Sequence, residues 1–93
     1  MKYKSPIQVN ESEMGGHLAA KVPDDIIIAR LRWASTLCSW RNVARGNTHM
    51  VVGLIRRGLM ERTDHNGLEP TILGWSILAE TRDRDIPEYQ WRR

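Results

Sequence analysis

Between positions 26 and 38 apolar residues recur at helical spacing. Ile27, Leu31, Ala34 and Cys38 form one i, i+4 line with Ile26, Trp33 and Leu37 beside it, while Arg30 and Arg32 fall off the stripe. Pro23-Asp24-Asp25 opens the run: proline suits a first helical turn, and two carboxylates complement the positive end of the helix dipole. The pattern predicts a helix over 24–37, with the Cys38 thiol packed and inert on its buried line. Ser39 suits the N-cap of a short helix over 40–45, whose Val43 and Ala44 would face the core. Gly46 supplies a turn, and Asn47 or Thr48 caps a third helix over 48–57. There Met50, Val51, Leu54 and the following Leu59 point inward together. Thr48, Val52 and Arg56 are left on an outward line, with His49 beside them and Gly53 between. Gly53 costs about 1 kcal/mol relative to alanine in a helix interior. A close approach by another helix or by a ligand backbone would account for it.

After Gly58 the pattern turns extended. Leu59 to Thr63 and Leu68 to Thr71 read as strands joined across Asn66-Gly67, a dipeptide suited to a turn with φ > 0 at both positions. On that reading Gly67→Val destabilises the hairpin over 59–72, because a β-branched residue disfavours positive φ. Pro70 cannot donate to a ladder, so its strand should be short or at an edge. A last helix over 74–83 would bring Trp75, Leu78 and Ala79 to one face, with Ile72 preceding. Arg82 to Asp85 form a solvated, mixed-charge end, and Pro87 begins a tail whose Trp91 must fold back or bind something. Upstream, Pro6 and the breaker cluster Met14-Gly15-Gly16-His17 mark a loosely structured arm, with a short strand around 7–9 or a helical turn over 17–21. The division is therefore a flexible arm over 1–22, one α+β domain over 23–86 and a tail over 87–93.

Some of these features come together in one recognisable order. A helix closed by Arg56-Arg57-Gly58-Leu59, a short hairpin, and then Thr71-x-x-Gly74 resembles the recognition helix and wing of winged helix-turn-helix proteins, of the kind found in MarR-like and related small transcription regulators. The resemblance spans about half the chain by eye. It implies a three-helix core, a β-hairpin wing and a C-terminal helix. It also implies double-stranded DNA as the partner, with helix 48–57 in the major groove. On that reading Arg56 forks onto guanine or a phosphate, Thr48 holds a phosphate near the helix start, and Val52 meets a thymine methyl. The chain departs from the family pattern before that helix: many members have a longer second helix, whereas here Arg45 alone separates Ala44 from Gly46.

The charge distribution agrees with the resemblance. The net charge of +3 conceals a basic block, since residues 26–62 hold seven arginines against the single acid Glu61. Arginine makes planar bidentate contacts to phosphate and guanine. Arg41, Arg45, Arg57 and Arg62 are candidate phosphate contacts, and His49 and His65 are further nucleic-acid candidates on helix and hairpin. Ninety-three residues suit one core and leave no room for a separate catalytic domain. Three scattered histidines and one cysteine show no zinc spacing, and there is no G-x-x-x-x-G-K pattern. No enzyme, metal or cofactor is expected. The longest aliphatic run, Ile26 to Ala29, is too short for a bilayer, and Lys2 and Lys4 precede no apolar stretch, so no membrane partner and a cytoplasmic location are expected. Two alternatives stand beside sequence-specific regulation. One is a protein-interaction module of the phage or plasmid type, favoured by exposed Val52 and the surplus Trp40 and Trp91. The other is an excisionase-like DNA architectural factor. A homodimer is expected in either DNA role, with Trp75, Leu78 and Trp91 as its interface.

Overall fold

The computed structural model describes residues 22–91. The expectations placed on the N-terminal arm, including the strand around 7–9 and the turn at His17, lie outside the described residues. Three helices and a two-stranded antiparallel sheet make a small α+β fold.

Helix α1 spans Asp25–Ala34. Asp24 caps it, accepting a hydrogen bond of 3.1 Å from the Ile27 amide, a contact worth about 1 kcal/mol. The helix stops three residues short of the expected 37. Ser35 and Thr36 turn their hydroxyls back onto the carbonyls of Arg32 and Trp33, both at 2.7 Å, and so compete for the ladder that would extend it. Cys38 then adopts φ 64°, and its side chain is exposed. The expectation of a packed Cys38 on the helix line is therefore wrong, because the helix ends before reaching it. Ile26 is exposed as well.

The expected short helix over 40–45 is replaced by two single 3-10 turns, Trp40–Asn42 and Arg45–Asn47. Ser39 does cap the first, accepting from the Arg41 amide. Val43 and Ala44 between the turns are extended. Asn42, Val43, Gly46 and Asn47 are all weak helix formers, and Asn42 spends its amide on the Leu37 carbonyl at 2.6 Å. Helix α2 follows at Thr48–Arg56. It ends in a Schellman arrangement: Gly58 at φ 77° donates to the Ile55 carbonyl, and Leu59 donates to Leu54.

Strands β1 (Met60–Thr63) and β2 (Gly67–Pro70) pair in antiparallel register, Met60 opposite Pro70 and Thr63 opposite Gly67. The turn lies one residue earlier than expected. His65 and Asn66 take positive φ, while Gly67 sits at φ −67° inside the ladder. The harm expected from Gly67→Val therefore has a different cause: a Cβ there would run into the Thr63 hydroxyl and the Asp64 carbonyl. A bridge between Ser39 and Gly67, with Leu68 donating to the Cys38 carbonyl at 3.3 Å, ties the hairpin to the segment leading into α2.

Helix α3 covers Ile72–Glu80 and starts two residues before the expected 74. Thr71 is its N-cap: the hydroxyl accepts from the Gly74 amide at 3.0 Å and donates to the Gly58 carbonyl at 2.5 Å. One hydroxyl thus links the end of α2 to the start of α3. The buried face of α3 is Gly74 and Ile77, with Leu78 packed beside them. Trp75 and Ala79, expected on one face with Leu78, are exposed while Leu78 packs on the core, and Ile72 is exposed too. The core joins Ile28, Leu31 and Ala34 of α1 to Val51 and Leu54 of α2, Leu59, Met60 and Leu68 of the hairpin, and Ile77. Each large apolar side chain buried there contributes about 1.5–3 kcal/mol. Beyond α3 the tail folds back on α1, with Tyr89 and Trp91 against the Trp33 ring at centroid distances of 5.3 and 6.0 Å.

Candidate nucleic-acid interface

Which side of α2 is free follows from its periodicity. Val51 and Leu54 are buried, and Met50 and Ile55 pack against the same core. At 3.6 residues per turn the opposite side is centred on His49 and Arg56, with Val52 and Gly53 on either flank. His49 and Arg56 are exposed, and Val52 and Gly53 are half-buried. The outward line of Thr48, Val52 and Arg56 is thus present but rotated toward His49. Thr48 sits at its edge, half-buried, and its hydroxyl proton goes to the Arg45 carbonyl at 3.2 Å. That leaves Thr48 a poorer phosphate donor than the sequence implies.

Among the described residues, nothing beyond its chain neighbours and its own helix backbone lies within 4 Å of a Cβ built on Gly53. The glycine is therefore not explained by close packing of another helix among the described residues. It leaves a flat place in the exposed face of α2.

Arg41 and Arg45 are exposed on the two 3-10 turns that lead into α2, and Arg57 is exposed at its end. Among the described residues none of Arg41, Arg45, Arg56 and Arg57 forms an ion pair, whereas Arg84 pairs with Asp25 at 3.0 Å on the far end of α1. Four arginines around one helix face, without carboxylate partners of that kind, repel one another in the free chain. An anion removes that repulsion.

The hairpin is less basic than expected. Arg62 lies over the Trp40 ring at 4.3 Å and reaches Asn66 Oδ1 at 3.4 Å, so it is held beside the turn. His65 is exposed at the tip. On the outer face Glu61 and Glu69 stand directly opposite each other, both exposed, and Asp64 adds a further carboxylate at the turn. Like charges in that register repel, and they also disfavour phosphate. Any phosphate contact from the hairpin is confined to the Arg62 side.

Of the three expected interface residues, Leu78 packs on the core and Trp91 stacks on Trp33, while Trp75 is 53% exposed. Trp75 is joined by Ile72 at 87% and by Leu73 at 37%. The run Ile72-Leu73-Gly74-Trp75 is apolar throughout, and three of its four residues are exposed. Among the described residues no group of three or more His, Cys, Asp or Glu is placed to hold a metal, and no helix is long and apolar enough to cross a membrane. No protein-family model, curated protein or solved structure matches the chain.

Proposed function

We propose that the domain is a winged helix-turn-helix module of a transcription regulator that binds double-stranded DNA. The observation that carries the reading is the exposed face of α2: His49, Val52, Gly53 and Arg56 are presented outward, ringed by Arg41, Arg45 and Arg57 with no carboxylate partner among the described residues. A helix presenting a small, flat, cationic face suits a major groove, where Arg56 can meet guanine and Val52 a thymine methyl. The bridge from Ser39 to Gly67 supports the same reading, because it fixes the hairpin beside the segment that leads into α2. The hairpin serves as the wing through Arg62 and His65, with its Glu61 and Glu69 face turned away from the phosphates. The two 3-10 turns stand where a helix-turn-helix has its first helix, and they present Arg41 and Arg45 instead of a second helical face.

The exposed Ile72, Leu73 and Trp75 support a homodimer. Ser76 and Ala79 are small residues one turn further along the same helix. Two copies of α3 crossing antiparallel on a two-fold axis set the large Ile72 and Trp75 of one against the small residues of the other. Two reading heads on a two-fold target also supply the specificity that one small head lacks.

The test is fluorescence anisotropy of labelled duplexes at about 50 and 200 mM salt, the range over which counterion release dominates affinity. Arg56→Ala is expected to cost about 1–3 kcal/mol on a preferred duplex and to relax preference at one base pair. Arg41→Ala and Arg45→Ala weaken all duplexes alike and flatten the log–log salt slope by about one unit each. No binding at the lower salt near ~10⁻⁴ M protein, the weak end of non-specific affinity, contradicts the reading. A Val52-dependent protein complex insensitive to salt would replace it.

A further inference from the structure

Between α1 and α2 lies a notch of about 120 Å³. Arg30 of α1 and His49, Gly53 and Arg57 of α2 line it, over an aliphatic floor that includes Ile27 and Leu54. No carboxylate is among the residues that line it. Its volume is about four waters' share of the liquid at ~30 Å³ each. That is room enough for one tetrahedral anionic group.

Two features of the residues lining the notch have no explanation among the described residues. Arg30 Nε is shielded from solvent and has no hydrogen-bond partner among the described residues. A donor kept from water without an acceptor is costly and rare in folded proteins. Arg30 also borders the pocket between α1 and the tail, with Asp25 and Glu88, so what it offers the notch is its charge. Gly53 weakens its own helix, yet an added methyl would meet nothing within 4 Å. Among the described residues no neighbour requires a glycine here, and its missing side chain leaves room for a group that approaches from outside.

We infer that this notch is a phosphate clamp: one phosphodiester of the DNA backbone seats against Gly53, held by Arg30, His49 and Arg57. The inference rests on the DNA reading of α2 and extends it to an α1 residue. Phosphate contacts of this kind fix register on the duplex and carry no base preference. Arg30 is then a positioning residue that sets the depth of α2 in the groove, with Arg56 left to read.

The test compares the full chain with Gly53→Ala, Arg30→Met and Arg30→Lys. Gly53→Ala should raise the melting temperature, because alanine is the better helix former. It should also weaken binding to a random-sequence duplex by roughly three- to tenfold at ~50 mM salt, the scale of one lost phosphate contact. A role confined to folding cannot move stability and affinity in opposite directions. Arg30→Met should weaken all duplexes alike and flatten the salt slope by about one unit, and Arg30→Lys should restore part of both. If the unaltered chain binds duplex and Gly53→Ala binds it equally well, the clamp is overturned and the DNA reading stands. If the unaltered chain binds no duplex, both fall. If Gly53→Ala abolishes binding of a polyglutamate peptide but leaves duplex binding intact, the notch belongs to an acidic protein partner and the clamp is overturned.

Discussion

A methyl group at Gly74 would collide with the Leu59 carbonyl and lie 3.1 Å from Pro70 Cβ. The obstacle is backbone, which cannot swing aside, so α3 would have to lift from the hairpin. Gly74→Ala is expected to destabilise by about 1–3 kcal/mol or more, the range for overpacking a tight site, as a shift in the urea midpoint. Thr71→Val removes a cap and a link to the Gly58 carbonyl together, and should cost about 1–2 kcal/mol in the same measurement. Cys38 gives a third test. With its side chain exposed and its φ at 64°, the thiol should react with an aromatic disulfide reagent in the folded state. Cys38→Gly should be neutral or stabilising by up to about 1 kcal/mol, because glycine alone adopts that φ freely. A thiol that reacts only in denaturant would contradict the placement.

At the scale of elements, the segments with strong local signals were legible in the sequence. Helix α1 opens at the Pro23-Asp24-Asp25 signal, though Asp24 serves as its N-cap and Pro23 stays outside the first turn. Gly58 closes α2 at positive φ, and the hairpin pairs where the apolar periodicity changes. Misplaced features were those decided by competition between neighbours. Ser35 and Thr36 ended α1 early by claiming its carbonyls, which carried Cys38 off the buried line. The turn moved to His65-Asn66 because Gly67 was needed in the ladder, opposite Thr63 and bridged to Ser39. The sequence grouped Trp75 and Ala79 on one face with Leu78 because α3 is largely apolar and its periodicity does not mark an inner face; the close contact at Gly74 does. Of the candidate interface, the exposed positions of α2 were legible from spacing. The acidic outer face of the hairpin appeared only once the register set Glu61 against Glu69. Arg30 gave no sequence signal beyond falling off the stripe. An exposed Trp75 also makes a prediction at this scale: Trp75→Ala should keep its fold by circular dichroism while shifting light-scattering mass from dimer toward monomer. Unfolding of this variant would return Trp75 to the core.

Across the whole molecule, the tail closes the helical side of the domain. Tyr89 donates a hydrogen bond of 2.9 Å to Asn47 Oδ1, and Asn47 is fully buried just before α2 begins. Arg32 reaches across from α1 to the Thr81 and Arg84 carbonyls, neutralising the negative end of α3. Tyr89→Phe should cost about 0.5–1.5 kcal/mol, the net worth of one hydrogen bond. A change within error would mean that the tail does not brace α2. This bracing holds the outward face of α2 in place, and that face is where the proposed function stands. Its most direct test is an NMR titration of the full chain with a random-sequence duplex at low salt, following backbone amides. The account predicts shifts concentrated at His49, Val52, Gly53, Arg56 and Arg57 and at the two turns carrying Arg41 and Arg45, reversed by added salt. Shifts confined to Ile72, Leu73 and Trp75, or none at ~10⁻⁴ M protein, the weak end of non-specific DNA affinity, would contradict it.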